Sequence, residues 1–158
     1  MGTGFLITRY YPDRKDIKIF LHAEDQFLWD NIELQARKFG LNLPSQNIGI
    51  TDSLTHNETL NICDTKIRVL HTPGHSPGSC TFLLEPPDTP SPVLIVGDVI
   101  FQGSIGRTDL WKGDYNTLQK SIHDSILSCS DDTRIIPGHG PDTTVGEERL
   151  GNPFLELN

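Results

Sequence analysis

The sequence predicts a layered α/β fold of the α+β kind. Three observations carry that reading. Short apolar runs of strand length recur along the chain, two longer segments carry apolar residues at helical spacing, and Pro- and Gly-rich stretches punctuate them. At 158 residues the chain has the length of one ordinary domain and can bury a real core. No internal repeat and no second domain is visible in it.

Taken in order, residues 17–21, "IKIFL", read as a buried strand of β-branched and aromatic side chains. "EDQFLWDNIELQARKFG" follows as a helix. Leu28, Ile32, Ala36 and Phe39 share one face, acids occupy the first turn, and Gly40 ends it. "TLNI" and "KIRVLH" flank "CDT" as a hairpin, and "SCTFLL" is the next strand. "EPPDTPSP" cannot donate the hydrogen bonds of a central strand and is an exposed loop. "VLIVGD" is a continuous apolar strand, followed by a long irregular stretch, "VIFQGSIGRTDLWKG". Asp114 then caps a second helix with Leu118, Ile122 and Ile126 on one face. "TRIIPGHG" is a strand running into a glycine loop, and "VGEERLGNPFL" gives a short helix and a tail.

Composition narrows the function. A net charge of −8 disfavours a nucleic-acid phosphate backbone and anionic membranes as partners. No apolar run reaches the roughly 20 residues that cross a bilayer. Cys63, Cys80 and Cys129 lie far apart without a C-x-x-C pair, as expected of reduced, buried thiols in a cytoplasmic protein. The first residues have no basic segment ahead of an apolar one, so no secretory signal is expected.

Two loops share one design. "HTPGHSPG" and "IIPGHGP" each place a histidine after Pro-Gly, directly beyond a strand, and between them "LIVGD" sets Asp98 at a third strand end. Proline stiffens such a loop and glycine lets it turn tightly, which is what a metal ligand needs to be aimed. His75, Asp98 and His139 are therefore candidate metal ligands. A single loop histidine is usually a surface residue, and an Asp after a strand is usually a cap; the repetition is what raises these three above that default. His22, His56, His71 and His123 lack the setting and read as structural or surface residues.

The pieces "TPGHSPGS", "VGDVIFQGSIGRTDLWKGD", "IIPGHGPDTTVGEER" and "NPFL" resemble the metallo-β-lactamase superfamily, and within it the small glyoxalase II-like hydrolases. The resemblance implies the C-terminal portion of an αββα sandwich over residues 17–158, preceded by an atypical segment, residues 1–16. It implies hydrolysis of a small-molecule thioester such as S-lactoylglutathione at a two-metal site. His75 matches a ligand of one ion, His139 a ligand of the other, and Asp98 the bridge. Zinc is the expected metal, with iron or manganese as options. The resemblance implies no side-chain nucleophile, and no catalytic residue beyond the metal ligands. Arg107, in "GRTD", matches a basic position that in relatives faces the carboxylate end of glutathione; a structural ion pair with Asp109 or another nearby carboxylate is the alternative. Lys112 reads as a surface residue, and Trp111 and Tyr115 read as core, with the border of a substrate cleft as the alternative.

The family's earlier H-x-H-x-D-H motif has no counterpart: the sequence contains no H-x-H and no Asp-His pair. The expectation is a C-terminal portion of such an enzyme, impaired or inactive as an isolated chain, with an open sheet edge that invites self-association. The alternatives are a persulfide dioxygenase-like iron enzyme, which shares "GRTD", and a degenerate module that binds without turnover.

Overall fold

The computed structural model describes residues 17–38, 40–41, 49–62, 64–110 and 112–155. The expected atypical segment 1–16 lies outside them, as do Phe39, Cys63 and Trp111. The chain forms two compact units, Met1–Leu54 and Thr55–Asn158.

In the first unit, strand β1 (Phe20–His22) pairs in parallel with β2 (Asp52–Leu54). The strand begins later than the apolar run predicts: Ile19 meets the Thr51 side chain and backbone instead of a regular ladder. A 3₁₀ turn (Ala23–Asp25) leads to two short helices, α1 (Gln26–Asp30) and α2 (Ile32–Lys38), where the sequence predicts one. The break falls at Asn31. Its side-chain amide donates to the Phe27 carbonyl at 2.8 Å, taking the acceptor that the helix would use four residues on. Ala36 is buried as predicted, and Gly40 leaves the helix at φ +71°.

The second unit is a six-stranded sheet in the order β10-β9-β6-β5-β4-β3, antiparallel except for the parallel pair β6–β9. The predicted hairpin is β3 (Thr59–Ile62) with β4 (Thr65–His71), followed by β5 (Cys80–Leu84) and β6 (Val93–Gly97). The stretch read as irregular contains a tight hairpin, β7 (Ile100–Phe101) with β8 (Ser104–Ile105), turned by Gly103 at φ +66°. Helix α3 (Tyr115–Ser121) continues into a π turn (Ile122–Ile126), closed by the Leu127 N–H on the Ile122 carbonyl. Strand β9 (Arg134–Pro137), the two-residue β10 (Thr143–Thr144) and α4 (Val145–Gly151) complete the order.

Alternation along the strands builds the core. Leu70, Leu83, Leu94, Val96 and Ile135 face Leu118, Ile122, Ile126 and Val145 from the helices, in one buried cluster. Each fully buried Leu or Ile there contributes about 1.5–3 kcal/mol relative to exposure. The other face carries Val69, Phe82, Ile95 and Ile136 in cross-strand register. Ile95 remains 40% exposed although its strand is central.

Candidate metal centre

The first Pro-Gly loop joins β4 to β5. Thr72 returns a backbone bond to Ser79 and shares a buried hydroxyl pair with Thr81 at 3.0 Å. The loop then lies on α3. The Asp114 N–H donates to the Gly74 carbonyl at 2.8 Å, and the Ser121 hydroxyl to the Pro73 carbonyl at 2.7 Å. Gly74 is obligatory there: at φ +131°, a Cβ would sit 2.4 Å from the Leu118 backbone. So His75 is not directly beyond the strand, as the sequence suggests, but at the tip of a loop clamped to a helix. Its Nδ1 lies 2.8 Å from the Arg107 carbonyl. A carbonyl only accepts, so Nδ1 carries a proton, and it is the Nε2 of the neutral ring that has the lone pair. That Nε2 points at Asp98 Oδ2, 3.9 Å away.

Asp98 follows the end of β6, as predicted. Beside it, the parallel neighbour β9 ends in Pro137, and the Gly138 N–H donates to the Gly97 carbonyl at 2.7 Å. A Cβ on Gly138 would lie 2.5 Å from Asp98 Oδ1. A side chain at this position would displace the carboxylate oxygen, whereas the turn itself imposes no left-handed backbone. His139 comes next, and its Nε2 lies 3.9 Å from that same Oδ1. Its ring stacks on Phe101, with centroids 4.3 Å apart and planes at 21°.

The three predicted residues thus meet in one open cleft of about 400 Å³, bordered also by Phe101, Ile105 and Arg107. Each Asp98 oxygen faces one histidine. A separation of 3.9 Å is too long for a direct hydrogen bond. A cation with two bonds of about 2.0–2.2 Å would span it, and imidazole with carboxylate is a donor set suited to zinc, iron or manganese. The donors present therefore fit divalent ions on either side of one carboxylate. A larger groove of about 700 Å³, lined by His56, Arg68, His71 and Cys129 among others, holds none of the three. Chemistry rather than size picks out the smaller cleft.

Arg107 donates to both oxygens of Asp109, each at 2.7 Å. That pairing lowers the Asp109 carboxyl to about 2 and raises the guanidinium. What sequence reasoning missed is the Arg107 carbonyl that orients His75; no side-chain pattern signals a backbone acceptor. It also missed Phe101, although an aromatic two residues before a glycine turn was a usable signal. Among the other histidines, the His71 ring meets the Pro77 carbonyl, His56 accepts from the His71 N–H, and His123 meets Asp124. His22 caps the 3₁₀ turn through the Glu24 N–H. Lys112 is exposed as expected, whereas Tyr115 is 41% exposed and not core; its hydroxyl accepts from Gln119.

The family model of the metallo-beta-lactamase superfamily matches residues 9–139. The chain belongs to the metallo-beta-lactamase superfamily. It is 41% identical over 136 residues to the hydroxyacylglutathione hydrolase GloC of Haemophilus influenzae, covering 85% of this chain and 61% of that protein. Among solved metallo-beta-lactamase folds, it resembles the BLEG-1 B3 metallo-beta-lactamase at TM-score 0.77 and 40% identity, over 88% of this chain and 65% of the other. It likewise resembles TTHA1623 in a di-iron-bound form at TM-score 0.74 and 37% identity, over 89% and 66%. The chain spans about three fifths of the length of the Haemophilus relative. No helix among the described residues is long and apolar enough to cross a membrane.

Proposed function

We propose that His75, Asp98 and His139 are ligands of a metal centre that hydrolyses thioesters such as S-lactoylglutathione. One observation carries the reading: each oxygen of a single carboxylate faces its own histidine across a gap of metal-bridging width. The 41% identity to a hydroxyacylglutathione hydrolase supports the substrate class. Zinc is the favoured ion, and the di-iron form of TTHA1623 keeps iron as the first alternative.

Divalent ions bound there supply a Lewis acid for the thioester carbonyl and acidify water to near neutral pH. The chain's own residues do the placing. The Arg107 carbonyl fixes the tautomer that leaves His75 Nε2 free to ligate. Gly138 makes room for the Asp98 carboxylate. Phe101 and Ile105 form an apolar wall that excludes water from one side of the cleft. In this reading Arg107 exchanges Asp109 for a substrate carboxylate, a swap between two equivalent bidentate partners.

A catalytic zinc normally holds three protein ligands of its own, whereas these residues offer one histidine per ion and a shared carboxylate. The 158 residues by themselves are therefore expected to bind metal weakly and turn over slowly. A thioesterase assay with S-lactoylglutathione on the zinc-loaded chain, run beside the Haemophilus relative, tests this. A rate far below the relative's, abolished by Asp98→Asn, is expected. A rate equal to the relative's would contradict the impairment, and a rate indifferent to Asp98→Asn would contradict the site. The open edge of β3, which pairs only with β4 among the described residues, is the proposed place of self-association between copies.

A further inference from the structure

The two histidines of the cleft are held differently. His75 donates to a backbone carbonyl. His139 has no such anchor among the described residues: its ring faces Asp98 at 3.9 Å and stacks on Phe101. With its side chain 72% exposed, the imidazole has wide freedom unless the stack fixes its plane. The question moves to what fixes Phe101.

Phe101 sits in the β7–β8 hairpin, whose strands are two residues each. A ladder that short does not hold itself; Ile100 anchors one strand in the buried core, which leaves the turn to be fixed. Its turn is held from α4. The Gly103 N–H donates to Glu148 Oε2 at 2.9 Å, and the Asn152 side-chain amide donates to the Ser104 carbonyl at 3.0 Å. The same amide donates to Glu148 Oε2 at 2.8 Å, and the Thr143 hydroxyl donates to Glu148 Oε1 at 2.6 Å. Glu148 is 2% exposed and Asn152 7%. A buried carboxylate is costly to desolvate, and apolar residues of similar volume commonly serve stability as well or better. Helix packing alone therefore does not call for this polar pair, whereas the hairpin turn uses a donor and an acceptor from it.

We propose that Glu148 and Asn152 are positioning residues for His139, acting through the hairpin turn and the Phe101 ring. The pair sets the hairpin, the hairpin sets the aromatic face, and that face sets the imidazole plane toward a divalent cation. The inference rests on His139 being a metal ligand, so its test has one readout that needs no metal. NMR of the His139 ring protons, assigned by their loss in His139→Gln, reports the stack directly. Zinc affinity of the full chain reports its consequence. Phe101→Leu removes the upfield ring-current displacement, Glu148→Gln shifts the same resonances in the same direction, and both weaken zinc binding about tenfold, the usual effect of losing an outer partner of a ligand. Phe101→Tyr restores both readouts. A folded Glu148→Gln chain with unmoved His139 resonances overturns the proposal. If that variant does not fold, Asn152→Ser, which removes one donor from Glu148 and the tie to Ser104, decides the same question by the same resonances. If the parent binds no zinc, the metal assignment fails, and the resonances alone still decide the positioning role.

Discussion

Gly138 shows how a single missing side chain can define a site. A Cβ there would press on Asp98 Oδ1 at 2.5 Å, so the carboxylate oxygen that faces His139 would have to shift. Gly138→Ala is expected to weaken zinc binding tenfold or more with little loss of thermal stability, measured by zinc titration and melting of the same sample. Parent-like affinity would show that the close approach is immaterial. A second residue-scale prediction concerns Arg107 and Asp109. The Asp109 carboxyl is lowered to about 2 by the guanidinium, so the stabilisation from this pair is fully present above about pH 4 and lost as pH falls through about 2. Both groups are exposed, so the effect is small. The melting temperatures of the parent and Asp109→Asn should differ slightly at pH 6 and converge near pH 2; a difference that grows on acidification would contradict the assignment. His75 and His139 were legible as candidates because Pro-Gly repeats before them, and Asp98 because it ends an apolar strand between them. The Arg107 carbonyl was not legible, because every residue owns one and only the fold says where it points.

At the scale of elements, helix ends and core faces carry the stability. Asp114 accepts from the Thr117 N–H, the Thr117 side chain and then its backbone lower the Asp114 carboxyl, and Leu118, Ile122 and Ile126 are fully buried. Leu118→Ala should cost about 3 kcal/mol, read by chemical denaturation. At α4, Thr144 and Glu147 form a reciprocal capping box. Thr144→Ala should cost about 1 kcal/mol, and no change in denaturation midpoint would argue that the cap is replaced by water. Most elements were visible in sequence: the β3–β4 hairpin, β5, β6, β9 and both ends of the Pro-rich loop follow from periodicity and breakers. The β7–β8 hairpin was not. Its strands are too short to show alternation, and what holds it is distant in sequence: Ile100 is buried in the core, and the turn is tied to a buried pair some 45 residues away. The single helix predicted over 24–40 failed for a local reason, since the Asn31 side chain competes for a carbonyl that propensity assigns to the backbone.

Across the whole molecule, the six-stranded sheet ends on β3 with one edge unpaired among the described residues. Ile62 on that strand is 56% exposed. Sedimentation velocity should show concentration-dependent association that Ile62→Lys reduces; a monomer at all concentrations would remove the edge from consideration. The candidate metal centre is also a property of the whole. Its three donors come from loops after three different strands, and no local segment contains more than one of them. The central claim is that these donors share metal. Metal content by mass spectrometry after zinc loading, on the parent chain, Asp98→Asn and the exposed-surface control His123→Gln, tests it most directly. Bound zinc in the parent and in His123→Gln, with loss in Asp98→Asn, is the predicted result. Zinc that survives removal of the Asp98 carboxylate would mean that the cleft between His75 and His139 is not where this protein holds its metal.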